Sequence, residues 1–192
     1  MGLTIYYNGT FNSKASFPAM IEDVKDIAEA HNWPYHIYET DFPEYDFTNN
    51  AFDGKVYGIS FTPPDSETVC LTFLSNGRLS NTAWLNWLDS EGSRDYLYMP
   101  FTKTQYAGWQ IHQQIIHILQ YISKKYFQHF NVDDEGMYWE TGDVNMLQER
   151  FKQYSSLINK FSLINKFSSG LEMIPVNPGE SLEDYFRRIL KR

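Results

Sequence analysis

The sequence predicts an α+β fold: a mainly antiparallel sheet with a long amphipathic helix packed across it and a helical C-terminal part. Three observations carry that prediction. Residues 3–101 contain several short β-branched and aromatic runs separated by Pro, Gly and Asn, with only one helical segment among them. Residues 107–126 repeat apolar side chains at helical spacing. The chain has 192 residues, 42% of them hydrophobic, which suffices for a buried core and excludes disorder as the main state.

Each element follows from its residues. Residues 3–7 (LTIYY) read as a strand. Ser16 followed by Phe17-Pro18 is an N-cap with proline in the first turn, and Ile21, Val24, Ile27 and Ala28 then recur on one helical face. Glu22, Asp23, Lys25 and Glu29 are expected to face away from it, and the helix should end near Asn32, before Pro34. Residues 35–39 read as a second strand, and residues 41–53 as an acidic, aromatic loop. Residues 55–62 and 67–75 are neighbouring strands joined by Pro63-Pro64-Asp65-Ser66, and Asn76-Gly77 marks a tight turn. Further strands are expected within 79–88 and at 96–101. Ala107, Ile111, Ile115, Ile118, Leu119, Ile122 and Tyr126 share an arc of about 120°, with Gln113, His117 and Lys124 opposite. Residues 131–143 (NVDDEGMYWETGD) read as a loop. A helix with Leu147, Phe151, Tyr154 and Ile158 on one face starts near Asp143, and Ser181-Leu182-Glu183-Asp184 opens a short final helix. The expected organisation is one domain over residues 1–170 and an extension over 171–192.

An immediate repeat, SLINKF at 156–161 and again at 162–167, stands in the C-terminal part. Six residues turn a helix by about 600°, so the second copy's apolar set points about 240° from the first. Either the helix breaks near Ser162, or Leu163, Ile164 and Phe167 meet another surface, such as the C-terminal segment or a second subunit in a homo-oligomer.

Charge and cysteine content narrow the function classes. Sixteen Lys and Arg against 24 Asp and Glu give a net charge of −8. Residues 1–60 hold nine acids and three bases, whereas residues 141–192 hold six acids and eight bases. An acidic body opposes phosphate backbones, so no nucleic-acid partner is expected. Cys70 is the single cysteine, which fits a reducing compartment. No run approaches the roughly 18 apolar residues of a membrane span, and the N-terminus lacks signal-peptide organisation. The expectation is a cytoplasmic protein without membrane partners.

Motifs for common chemistries are absent. Glycine spacing excludes GxGxxG and GxxxxGK[ST]. One Cys and five His give no CxxC or HExxH, and His112 and His117 lie about 140° apart on their helix, so no metal site and no cofactor is expected. Asp53-Gly54-Lys55 has the D-x-K spacing of metal-dependent nucleases, with Asp41, Glu44 or Asp46 as the upstream acid. The most site-like stretch is 133–143, where Glu135, Glu140 and Asp143 are candidate acid/base carboxylates, with Asp134 and Trp139 as binding groups. The competing reading makes Gly136 a turn, Tyr138 and Trp139 core anchors, and Thr141 or Asp143 a helix cap. Lys103 and Gln105, ahead of the long helix, are candidate ligand contacts unless Thr104 merely caps that helix. His112 is a candidate catalytic base, or a hydrogen-bonded side chain at the core edge.

The segments LTIYYNGTF, WPYHIYE, YGISFTPPDSETVCLTFLSNGRLS, KTQYAG and DEGMYWETGD together resemble a widespread group of uncharacterised bacterial proteins, over about residues 3–155. The resemblance implies a bacterial cytosolic origin and one continuous domain. It carries no activity or ligand. From composition, the expected function is a non-enzymatic, acidic protein-binding module of the inhibitor or immunity type, rich in Tyr and Phe (14 each) and covering a basic partner by complementarity. The alternatives are a hydrolase or transferase using the 133–143 loop, and a small-molecule sensor.

Overall fold

The computed structural model describes residues 3–43, 51–87 and 96–168, with side chains of the last helix described through residue 156. In chain order the elements are β1 (Thr4–Phe11), α1 (Phe17–Ala30), β2 (Tyr35–Ile37), β3 (Tyr57–Phe61), β4 (Val69–Phe73), a 3-10 helix (Thr82–Trp87), β5 (Phe101–Lys103), α2 (Gly108–Tyr126), β6 (Phe127–Asp134), α3 (Tyr138–Thr141) and α4 (Val144–Ser168). This is the α+β fold the sequence predicts, with two antiparallel sheets ordered β5-β1-β6 and β2-β3-β4.

The central strand is the first one. β1 takes β5 on one side and β6 on the other, with Ile5 opposite both Thr102 and Asp134. Its odd-numbered side chains, Leu3, Ile5, Tyr7 and Phe11, are all buried and form the floor of the core. The same core takes Met20, Val24 and Ala28 from α1, which lies against β3, β2 and α2, and Ile115, Leu119 and Ile122 from α2, which also lies against β6. Each buried Met, Val, Ile or Leu among them contributes about 1.5–3 kcal/mol by leaving water, and the methyl of Ala28 less. α1 starts as expected: the Ser16 hydroxyl accepts the Ala19 N–H at 3.3 Å. It stops where Asn32 takes a positive φ of 55°.

Residues 77–80 tie the two sheets together. Phe11 N–H donates to the Gly77 carbonyl and Leu79 N–H to the Gly9 carbonyl, both at 2.9 Å, while Ser80 N–H reaches the Thr72 carbonyl on β4 at 2.7 Å. Between β4 and the β1–β5 pair, side chains make further links. The Tyr7 hydroxyl accepts the Cys70 N–H at 2.9 Å, and the Thr102 hydroxyl donates to the Thr68 carbonyl at 3.1 Å.

Four expectations are corrected. Residues 79–88 hold no strand among those described; Arg78 and Leu79 make isolated bridges and the chain turns into the 3-10 helix. At 96–101 only Phe101 is in a strand, because β5 begins there. Residues 131–134 are not loop but the end of β6, an eight-residue strand paired along the length of β1. And Asp23 does not face away from the core: it accepts hydrogen bonds from three groups of α2.

Two compact units divide at Tyr154 and Ser155. α4 is helical without interruption from Val144 to Ser168, so no break occurs at Ser162. The side chains of Leu163, Ile164 and Phe167, the 170/171 boundary, the 171–192 extension and its short helix lie outside the described residues.

Candidate functional site

The 133–143 segment is positioned by β6 on one side and α2 on the other. Asp134, the last residue of β6, is 1% exposed and turns its carboxylate back into the protein. There Oδ1 accepts the Gly136 N–H at 2.7 Å, and Oδ2 accepts the N–H groups of Tyr138 and Trp139 at 2.8 and 3.0 Å. The carboxylate thus supplies the orphan donors at the start of α3, where Met137 is held in the left-handed region at φ 61°. His112 Nε2 lies 2.9 Å from Asp134 Oδ1 but outside directed hydrogen-bond geometry, a close electrostatic contact. Burial pushes the Asp134 carboxyl up, but His112 and the Trp139 and Gly136 donors outweigh it and hold the group below the ordinary carboxylate range.

On its other ring nitrogen, His112 Nδ1 lies 2.7 Å from the Thr104 hydroxyl, whose oxygen also donates to the Leu3 carbonyl at 3.3 Å. Thr104, His112 and Asp134 therefore place hydroxyl, imidazole and carboxylate in the order of a nucleophilic relay, although the Thr104 proton is directed to the Leu3 carbonyl and not to the imidazole. Exposure decides against that use: Thr104 and His112 are 0% exposed. The alignment fastens the start of β1, the β5–α2 connection, α2 and the end of β6 to one another. Thr104 does not cap α2, whose N-cap is Ala107 with no side-chain bond.

The other nominated residues take separate places. Glu135 Oε2 accepts the Thr4 N–H at 2.8 Å and so closes the first rung of β1. Asp143 Oδ1 accepts the N–H groups of Asn145 and Met146 at 2.8 and 3.3 Å, capping α4. Glu140 is exposed. Trp139 packs its ring 6.0 Å from Phe130. Lys103 Nζ stands 3.8 Å from Glu67 Oε1 on the surface, and Gln105 Oε1 is buried with no hydrogen-bond partner. Of the helix face expected opposite the core, Gln113 donates to the Tyr138 hydroxyl at 2.6 Å and His117 lies 3.2 Å from it, so α3 sits over that face. Asp53 closes its own turn on the Lys55 N–H at 3.0 Å and binds the Tyr57 hydroxyl; burial and then Asp53 push that phenol up to about 12. Glu44 and Asp46 lie outside the described residues. No group of three or more His, Cys, Asp or Glu is placed to hold a metal among the described residues. No helix described is long and apolar enough to cross a membrane.

A second location was not singled out by the sequence. On β3, Ile59 and Phe61 enter the core, which sends Ser60 to the opposite face. Register then places His36 beside Ser60 and Ser60 beside Cys70 in one row across β2, β3 and β4. An open groove of about 880 Å³ runs over this row. Thr62 and Thr68 share its floor, joined hydroxyl to hydroxyl at 2.8 Å, and Tyr35, Tyr38 and Phe101 line its sides. Glu67 is the charged lining residue among those described. Burial pushes the Cys70 thiol up to about 11, so it stays protonated at neutral pH and is no ready nucleophile. The signal in the sequence was polar or small residues alternating along three consecutive strands, on the face opposite Ile37, Ile59 and Leu71.

No family model, curated protein or solved structure matches this chain.

Proposed function

We propose that this protein is a non-enzymatic recognition module that engages a basic surface of another protein through the open face of β2, β3 and β4. The observation carrying the reading is the groove itself. It is open rather than enclosed, aromatic at its sides and hydroxyl-rich on its floor, with Glu67, which also meets Lys103, as its charge. Aromatic side chains give contact area at small entropic cost, and hydroxyls adapt to a partner's polar groups. The net charge of −8 favours encounter with a basic partner. Against the hydrolase or transferase alternative stand the roles of Asp134, Glu135 and Asp143, each occupied with backbone N–H groups, and the raised thiol of Cys70.

The test is affinity capture with the wild type and with Thr68→Arg, an exposed position on the groove floor. A partner held by the wild type, released by added salt and lost from a folded Thr68→Arg protein is the expected result. Equal capture by both proteins removes the groove from the interface. A metabolite that raises the unfolding midpoint of the wild type, and not of Thr68→Arg, replaces the proposal with the sensor reading.

A further inference from the structure

We propose that β6 pairs edge to edge with β6 of a second copy of this chain, antiparallel and centred on Asn131, joining two sheets across a two-fold axis. Hydrogen bonds at both ends of the strand show which backbone groups are on offer. Glu135 N–H donates to the Thr4 carbonyl at 3.2 Å and Asn12 N–H to the Tyr126 carbonyl at 2.8 Å. On the other side of β1, Tyr7 N–H donates to the Pro100 carbonyl and the Leu3 carbonyl accepts the Thr104 N–H. Even-numbered residues of β1 therefore serve β6, and with Tyr6 opposite Asp133 and Asn8 opposite Asn131, it is Asp133, Asn131 and His129 that bond inward. Phe130 and Val132 direct their N–H and C=O groups outward. β6 is an outer strand of its sheet, and among the described residues no hydrogen bond reaches those four groups.

Outer strands are ordinarily blunted by shortness, proline or lysine. Of the outer strands of the other sheet, β2 spans three residues directly after Pro34, and β4 is met on its free side by the Ser80 N–H and the Tyr7 hydroxyl. β6 has eight residues without proline or lysine, and its one irregularity lies opposite Thr10 and Phe11, at its first end.

A second copy is the occupant the charges select. Along this edge the chain runs from basic to acidic: exposed Lys124 at the end of α2, exposed His129 within the strand, exposed Asp133 near its end. Antiparallel pairing about Asn131 sets Phe130 opposite Val132 twice, so all four outward groups of each copy enter four backbone bonds. It sets His129 of each copy opposite Asp133 of the other, an imidazole N–H against a carboxylate, and Asn131 opposite its own equivalent. Shifting the centre to Phe130 gives up the His129–Asp133 match and recruits Gln128 from the irregular end. Parallel pairing brings Asp133 beside Asp133.

Sedimentation of the full chain up to about 1 mM is expected to show a reversible monomer–dimer equilibrium, weak because the seam is short. Val132→Pro removes an outward N–H and leaves the β1 ladder intact, so the dimer is lost. Asn131→Cys, made together with Cys70→Ser, is expected to give a disulfide-linked dimer on mild oxidation. Non-hydrogen-bonded antiparallel pairs bring Cα atoms to about 4.5 Å, within disulfide reach. His129→Cys in the same background lies four residues out of register with itself and stays monomeric. Should Val132→Pro fail to fold by circular dichroism, the two cysteine variants decide between them. A chain that is monomeric at every concentration, a dimer that survives in folded Val132→Pro, or cross-linking of His129→Cys as fast as Asn131→Cys overturns the proposal.

Discussion

Two aspartates fasten the same helix near its opposite ends and differ in how much water they keep. Near the start of α2, Asp134 meets His112 and three backbone N–H groups, and its side chain is fully buried. At the far end, Asp23 of α1 gathers the hydroxyls of Tyr121 and Tyr126 at 2.8 and 2.7 Å and the Lys125 ammonium at 2.7 Å, all on Oδ2, with its side chain 27% exposed. Each aspartate is pushed up by burial, and each ends below the ordinary carboxylate range because its donors outweigh that burial. The directions agree; the stakes do not. When a partner is removed at Asp23, water can replace it, whereas at Asp134 the remaining groups are left without one.

Removing the buried carboxylate is the strongest way to sharpen this contrast. Asp134→Ala strands three N–H donors and should cost about 3–5 kcal/mol in urea unfolding. The wild type should lose part of that stabilisation in acid. Because the folded carboxyl lies below its unfolded value, the contribution is whole above about pH 4 and fades as pH falls through the folded pKa; an Asp134→Asn protein should show a flatter acid limb. A smaller effect is expected at Gly136, where an added Cβ would stand 2.7 Å from His112 Nε2 and 2.8 Å from Leu147 Cδ1. Gly136→Ala should destabilise by about 1–3 kcal/mol through overpacking, and a neutral result would mean that the buried hub is looser than its distances indicate. At the exposed hub, Tyr126→Phe removes one bond to a charged acceptor and should cost about 1–2 kcal/mol in thermal unfolding. Lys125→Ala comes last: an ion pair on the surface should leave the midpoint unmoved at physiological salt, and a clear drop there would break the distinction between the two ends.

The same contrast explains what the sequence revealed. α1 and α2 were legible because Ile21, Val24 and Ala28, and then Ile115, Leu119 and Ile122, repeat with the helical period, and burial follows that period. β6 was not, because Asn131, Asp133 and Asp134 carry turn-forming side chains. Their strand exists only because β1 supplies a partner from the other end of the chain. His112 was legible as a hydrogen-bonded residue at the core edge, yet neither Thr104 nor Asp134 could be named as its partner from spacing alone. Asp23 was misplaced for a related reason: its helical position lies beside the apolar stripe, and tertiary packing brought α2 to it. The groove needed strand register, since His36, Ser60 and Cys70 become neighbours only when three strands align.

The place of β1 also sets a clock. Asn8 and Asn131, joined side chain to side chain, are 123 positions apart in the chain. At about 5–20 residues per second of synthesis, the first strand emerges roughly 6–25 s before the strand that completes it. Throughout that interval β1 lacks its β6 partner, and until residues 108–126 are made its apolar row of Leu3, Ile5, Tyr7 and Phe11 lacks α2 as well. A nascent chain arrested before residue 127 should accordingly remain bound by a holdase chaperone, and one arrested well beyond the start of α4 should be released.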